Sequence, residues 1–324
     1  MNSFEYATPD SLKEATAMLG QKWGETEVLA GGTDLITCIK QHVAAPKRVV
    51  SLKKIKDLRG IRESRGELQI GAMTRLRELA EDRDVQRNFP SLVMAAKGIG
   101  SPQILALGTV GGDLCQRPRC WYFRNGFGVF GKEGNSSLVR EGDNRFHAIF
   151  ETDGDALFVN PSSLAPALIA LGARFSAEGP NGKRREISAS DFFQAPKSEM
   201  ERETALNPNE ILTRISIPMR NLKNATYEIR HRHGLDWPYV TASVAYAERN
   251  GRPAEGQVVL GHVAATPWRS RAASNALSQA ESIEKAATWC ADVVTEGAKP
   301  LSKNAYKLQM VKAAVRRAVL ATKA

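Results

Sequence analysis

Hydrophobic and polar positions along this chain change their period several times, and each change predicts an element. Ser11-Leu12-Lys13-Glu14 reads as a capping box, after which Leu12, Ala15 and Leu19 form one apolar stripe that Gly20 ends. Glu27 to Ala30 predicts a short buried strand, Gly31-Gly32-Thr33-Asp34 a turn, Leu35 to Lys40 a helix, and Val49 to Leu52 a returning strand. This is a small α/β unit whose central connection is a strand, a double glycine and a helix N-terminus.

The texture shifts near Leu58. Gly60 to Thr74 reads as a hairpin around Ser64-Arg65-Gly66, with Leu68 and Ile70 alternating. Thr74 is placed to cap a helix through Leu79, and Ser91 to start another that ends at Gly98. Trp121 to Arg145 shows little periodicity and reads as a long loop, a length that is usually functional or disordered. Pro161 to Leu171 reads as helix, Arg174 to Ser190 as a hairpin around Gly179-Pro180-Asn181-Gly182, and Glu210 to Pro218 as a strand. The pattern resets at Tyr227. Tyr239 to Ala247 and Gln257 to Ala264 read as paired strands joined by Asn250-Gly251. Helices follow at about 269–279 and 281–296, and the last, from Ser302, carries Leu308, Val311, Val315 and Val319 on one face. Strands followed by helices suggest a separate α+β unit at this end.

Composition narrows the function classes. The 324 residues are 42% hydrophobic and 25% charged, with a net charge of +10. That length suggests two domains or three small ones. The basic residues are scattered in short groups such as Lys53-Lys54, Lys183-Arg184-Arg185 and Arg316-Arg317, without interleaved aromatics, which argues against nucleic acid. Four cysteines in so long a chain suggest a reduced compartment. Met1 to Tyr6 lacks a basic and an apolar signal region, and no apolar run approaches a membrane span. A cytoplasmic protein is expected, periplasmic only if it is exported with a partner.

Two glycine motifs carry candidate chemistry. Leu29-Ala30-Gly31-Gly32-Thr33-Asp34-Leu35 and Thr109-Val110-Gly111-Gly112-Asp113 both allow close backbone approach, and successive N–H groups can form a nest for an anion. In the first, a helix N-terminus follows, and Thr33 has a hydroxyl to offer. A plain turn is the rival reading for each. Neither is G-x-G-x-x-G nor G-x-x-x-x-G-K-[ST], so Rossmann and P-loop sites are poor fits.

On these residues the chain resembles the FAD-binding medium subunit of the xanthine dehydrogenase family of molybdenum hydroxylases, of the carbon monoxide dehydrogenase medium-subunit type. Residues 29–35 resemble its first pyrophosphate loop, and Gly108 to Leu114 its second FAD loop, usually T-[IV]-G-G-N. Further matches are Asn160-Pro161-Ser162-Ser163-Leu164-Ala165-Pro166-Ala167-Leu168, Glu210-Ile211-Leu212 with Ile217-Pro218, and Ala305 to Val311. They run in order over nearly the whole chain. The resemblance implies an α+β fold: a vanillyl-alcohol-oxidase-type FAD-binding domain of two α+β subdomains, 1–58 and 59–221 with a long loop at 115–147, then a smaller C-terminal α+β domain at 222–324. It implies that Leu29, Ala30, Gly31, Gly32, Thr33, Asp34, Leu35 and Ile36 line the pyrophosphate and ribityl chain. Thr109, Gly111, Gly112 and Asp113 would hold the other side, with Ile99, Ile211 and Leu212 as apolar flavin contacts. Two positions depart from the pattern. Ser163 stands where the P-x-S-D segment has its FAD-binding acid, and Glu228 aligns with a lysine found in some members.

The resemblance also implies partners: a molybdopterin-binding large subunit and a [2Fe–2S] small subunit in a hetero-oligomer. Electrons would pass from the clusters through FAD to an external acceptor, and no catalytic residue of this chain is expected beyond those that hold the flavin. Some medium subunits carry a [4Fe–4S] cluster on the loop that Gln116 to Arg124 resembles. Such a cluster needs four thiolates, and after Cys120 the next cysteine is Cys290, so a cluster-less loop is expected. Zinc through Cys115, Cys120 and His147 fits no standard spacing, and His231-x-His233 reads as surface histidines among arginines. Trp237 reads as packing, with a flavin or partner contact as the alternative. The rival functions are a free-standing flavin oxidase of the same fold class and a flavin-free basic docking scaffold.

Overall fold

The computed structural model describes residues 1–232 and 236–323. Three larger sheets and one two-stranded hairpin organise them. Strands β1 (Glu5–Ala7), β2 (Thr26–Leu29) and β3 (Arg48–Ser51) form a parallel sheet in the order β1-β3-β2. Parallel neighbours need crossovers, supplied here by the helices Leu12–Ala17 and Leu35–Lys40. Ser11 caps the first as expected, accepting from Glu14 N–H, but the Glu14 carboxylate reaches back to the Asp10 N–H rather than to Ser11.

The second sheet is antiparallel, in the order β4-β5-β10-β8-β9: β4 (Ile61–Ser64), β5 (Glu67–Gly71), β8 (Arg174–Glu178), β9 (Arg184–Ser188) and β10 (Ile211–Pro218). The β4–β5 hairpin turns through Arg65 and Gly66, both at positive φ, the backbone that a two-residue hairpin of right-handed strands needs. Leu68, Ile70, Phe175, Ile215 and Ile217 drop from this sheet into the main core, where the helices Leu76–Glu81, Pro90–Gly98 and Leu164–Ala170 cover them. Each such side chain contributes about 1.5–3 kcal/mol by burial.

The third sheet, β11 (Leu222–Ile229), β12 (Val240–Arg249), β13 (Arg252–Gly261) and β14 (Trp268–Arg269), is antiparallel and meandering. The helices Arg271–Gln279, Ile283–Val293 and Lys307–Ala321 cover one face around a second core. The helix Pro90–Gly98 packs on β11 and joins the two halves.

Several expectations need correction. Thr74 does not cap the following helix; its hydroxyl is spent on Gly60, and Arg75 is the capping residue. Ser91 lies inside its helix, which begins at Pro90. The last helix starts at Lys307, not Ser302. Helices at Arg83–Asn88, Pro102–Leu107 and Val110–Cys115, and strands β1 and β11, carry no clear period and were not anticipated. The stretch 121–145 is not a bare loop: it folds as a helical turn Trp121–Arg124, a two-residue hairpin of β6 (Lys132–Glu133) and β7 (Ser136–Ser137), and a turn Leu138–Glu141.

Candidate functional site

Both glycine motifs lie in one cleft, but they do different work. The backbone N–H groups of Gly31, Gly32, Thr33 and Asp34 donate to no acceptor among the described residues, which leaves a run of free donors, as a nest for an anion requires. Gly32 has φ +85, where a side chain is strained, and a β-carbon there would crowd Leu29 at 3.2 Å and Ile36 at 3.4 Å. Gly31 has ordinary φ. A β-carbon there would collide with the Leu107 carbonyl, so this glycine lets two backbones touch.

The second motif is a correction. It is the first turn of the helix Val110–Cys115, not a nest, and its N–H groups from Val110 to Asp113 are all used. Val110 N–H reaches Thr74 O, Gly111 N–H reaches Ala72 O, and Asp113 N–H reaches Thr109 O, at 2.9, 2.8 and 2.9 Å. Gly112 N–H takes the Thr109 hydroxyl at 3.1 Å, an N-cap bond. Its glycines serve close packing: a β-carbon on Gly111 would sit 2.9 Å from the Ala72 carbonyl.

Two adjoining cavities meet at Thr33, Asp34, Thr109, Gly112 and Gln116. The first continues over Ala30, Gly31, Gly32, Leu35, Gly111, Ile211 and Leu212. The second continues over Ile99, Asp113 and Ser163. Of the residues expected at the site, only Leu29 and Ile36 lie outside both; they sit in an apolar cluster with Ile39 and Val49. The arrangement suits an extended dinucleotide with its charged middle at the shared wall.

Asp34 does not face the cleft as a free carboxylate. Its Oδ1 accepts from Arg124 Nη2 at 2.9 Å and pairs with Arg119 Nη1 at 3.2 Å, while Oδ2 accepts from the Arg117 N–H at 2.9 Å. Arg117 pairs onward with Glu203, and Arg202 with Glu27. Burial pushes the Glu27 carboxyl up to about 7 against the pull of Arg117. Asp34, Glu203 and Glu27 face Arg117, Arg119, Arg124 and Arg202, which leaves one surplus cation beside the free N–H groups. These arginines come from the 117–124 stretch and from Arg202, and sequence reasoning did not name them as site residues. The signal was present in Arg117-Pro118-Arg119 and Arg124, read only as part of a cluster-loop resemblance.

Asp113 is buried. Its Oδ2 accepts from Ser162 Oγ at 2.5 Å and Leu164 N–H at 3.2 Å, and its Oδ1 from Gln116 Nε2 at 3.0 Å. Burial pushes this carboxyl up to about 6. The acid therefore fastens the 162–164 turn, next to Ser163, where the resembled pattern has its own acid. Glu228 is buried against Arg230, and burial raises its carboxyl too. A β-carbon on Gly98 would strike this pair. Trp237 is 41% exposed, carries Arg119 over its ring at 4.5 Å and lines the second cavity.

All four cysteines are free thiols. Cys120 Sγ lies 3.1 Å from His147 Nε2, and no His, Cys, Asp or Glu trio among the described residues is grouped to hold a metal. His231 is exposed, and His233 lies outside the described residues. Among the described residues, no helix is long and apolar enough to cross a membrane.

Comparisons with known proteins identify the family. Residues 2–220 match the family model for the FAD binding domain in molybdopterin dehydrogenase, and residues 225–322 the CO dehydrogenase flavoprotein C-terminal domain. The chain is 32% identical to the carbon monoxide dehydrogenase medium chain of Hydrogenophaga pseudoflava, over 98% of this chain and 96% of that one. It is 30% identical to the aldehyde oxidoreductase FAD-binding subunit PaoB of Escherichia coli, over 96% of both. The solved carbon monoxide dehydrogenase of Hydrogenophaga pseudoflava that lacks the Mo-pyranopterin moiety superimposes with TM-score 0.77 at 29% identity, over 99% of this chain and 98% of that one. None of these favours a free-standing oxidase. The chain belongs to the FAD-binding subunits of the molybdenum hydroxylase family, as an oxidoreductase flavoprotein.

Proposed function

We propose that this chain is the medium subunit of a three-part assembly, with a molybdopterin-binding large subunit and a [2Fe–2S] small subunit, and that it works in the cytoplasm. The observation that carries the reading is the run of free N–H groups at 31–34, set where two cavities of the family fold meet. When bound, FAD supplies exchange between one-electron clusters on a partner and an external acceptor. The protein's own part is to hold it. The N–H groups from Gly31 to Asp34 and the surplus arginine charge bind the pyrophosphate. Thr33, Thr109, Gly112 and Ser163 border it, and Ile99, Ile211 and Leu212 supply apolar walls on either side. Leu29 and Ile36 shape the loop from behind. Asp113 and Asp34 act through other residues, by fixing the 162–164 turn and the arginine loop.

The units run 1–58, 59–221 and 222–324, with the 115–147 insertion carrying the arginines in place of a [4Fe–4S] cluster. Two thiols on that insertion, with the next on a C-terminal helix, are too few for one.

The test is an absorption spectrum of the purified chain before and after adding FAD, with iron measured on the same sample. Flavin bands at one per chain without iron support the reading. Stoichiometric iron overturns the cluster-less insertion. Failure to take up FAD removes the flavoprotein role and leaves the docking scaffold.

A further inference from the structure

A third cavity, of about 290 Å³, lies beyond the cofactor cleft and shares with it only Arg119, Asp236, Trp237 and Pro238 among the described residues. That volume is at the lower end of the range for small-molecule sites. Its walls are aromatic: Trp121, Phe146 and Tyr239 stand in sequence, with ring centroids 5.4 and 5.3 Å apart, and Phe158 also lines it.

Its polar atoms set it apart. Five buried side-chain nitrogens or oxygens among the described residues have no hydrogen-bond partner, and three of them, Arg119 Nε, His147 Nδ1 and His262 Nε2, belong to residues lining this one cavity. A buried orphan costs about 1–3 kcal/mol, so three around one space favour a ligand that offers them polar atoms. Both rings are anchored at their other nitrogen, His147 by Cys120 Sγ at 3.1 Å and His262 by Thr241 Oγ1 at 3.0 Å. His262 is also held at φ +63, a conformation rare for a side-chain residue and enriched at ligand sites. Lys307 Nζ binds the carbonyls of both histidines, at 3.1 and 2.7 Å, and so fixes their spacing.

We propose that this cavity is a second small-molecule site, for a flat, uncharged arene bearing ring oxygens, the quinone and quinol class. The aromatic walls stack a planar ring. Arg119 Nε can only donate, whereas each neutral imidazole presents an N–H or a lone pair by tautomer. The set therefore satisfies a carbonyl oxygen and a hydroxyl oxygen alike, as both members of that class require. A charged ligand is disfavoured: Arg119 is committed to Asp34, and Arg232 to Asp236. The site rests on this chain's own side chains and does not depend on FAD binding.

The test titrates menadione, a methylated naphthoquinone, into the full chain, with and without saturating FAD, following tryptophan fluorescence corrected for absorption. Saturable quenching is expected in both states. Two rim variants read the site: Val159→Phe fills it and Phe146→Ala removes a wall. Each should weaken menadione by about tenfold or more while FAD uptake and the thermal midpoint stay near wild type. If Val159→Phe fails to fold, Phe146→Ala, at an exposed position, decides. No saturable quenching, quenching abolished by FAD, or affinity unchanged in the folded variants each overturns the proposal. A chain that takes up no flavin refutes the flavoprotein reading but leaves this titration readable.

Discussion

Asp34 and Arg124 lie 90 residues apart in sequence and meet at 2.9 Å behind the free N–H groups of the first glycine loop. The contact ties that loop to the insertion after the second motif, so the loop's shape and the insertion's fold depend on each other. Arg124 also donates to Cys38 Sγ at 2.8 Å and to the Arg117 carbonyl at 2.9 Å. Replacing Asp34 by alanine strands these buried guanidinium groups. The expected cost is about 2–3 kcal/mol in urea unfolding, with faster proteolysis after Arg124 and weaker FAD binding. Unchanged stability would show that the insertion folds without the tie.

Gly31 and Gly112 should respond unequally to alanine. At Gly31 the methyl meets the Leu107 backbone, which cannot swing aside, and the two loops must part. FAD affinity is expected to fall by about tenfold or more, a loss of roughly 1.4 kcal/mol. At Gly112 the methyl meets only the Thr109 hydroxyl, at 2.9 Å, so the loss is a helix cap of about 1 kcal/mol. Parallel flavin titrations and thermal melts of the two variants separate these outcomes.

Asp113 predicts a pH dependence. Unfolded, its carboxyl ionises near 3.8; folded, burial holds the proton up to about 6. Between those values the folded state binds more protons, so this group's contribution to stability falls as pH rises through the window, by up to about 3 kcal/mol. Asn cannot ionise and can still accept from Ser162 and Leu164. The Asn amide nitrogen would face the Gln116 Nε2 donor and lose that bond, so the readout for Asp113→Asn is the slope: a flatter profile than wild type from about pH 4 to about pH 6. Urea midpoints of the flavin-free chain across that range check it; equal slopes in both proteins would count against a buried, reluctant acid.

Lys307 is the buried counterpart in the C-terminal half. Its ammonium donates to the carbonyls of Phe146, His147 and His262, and burial pushes its pKa down to about 7. From about 7 up to 10.5 the unfolded chain holds the extra proton, so this group's contribution rises with pH. Lys307→Met leaves three carbonyls without their donor and should cost about 2–3 kcal/mol at neutral pH, with that rise abolished. Chemical denaturation at two pH values measures both effects.

Much of this was legible in the sequence because it is written in local terms. Ser11 capped its helix, Arg65-Gly66 formed the hairpin turn, and the stripe of Val311, Val315 and Val319 faced the core, since periodicity and turn chemistry act over a few residues. The ordered family motifs likewise point to the molybdenum hydroxylase flavoproteins from sequence alone. Lys307 could have been found too: it sits four residues before Val311 on that apolar stripe, where a lysine must find buried acceptors. The short helices at 102–107 and 110–115 left little trace, because six residues make too few turns for a period to show.

Tertiary structure decided which glycine motif keeps its donors. Gly31-Gly32 and Gly111-Gly112 look alike in sequence, but Ala72 and Thr109 reach only the second pair and spend its N–H groups. Asp34 was read as a ligand-loop residue and became a clasp only because Arg119 and Arg124, from a distant segment, fold onto it. Hydrogen-bond partners and buried charges depend on what arrives from elsewhere in the chain. Local pattern set the elements; long-range contact assigned their free polar groups.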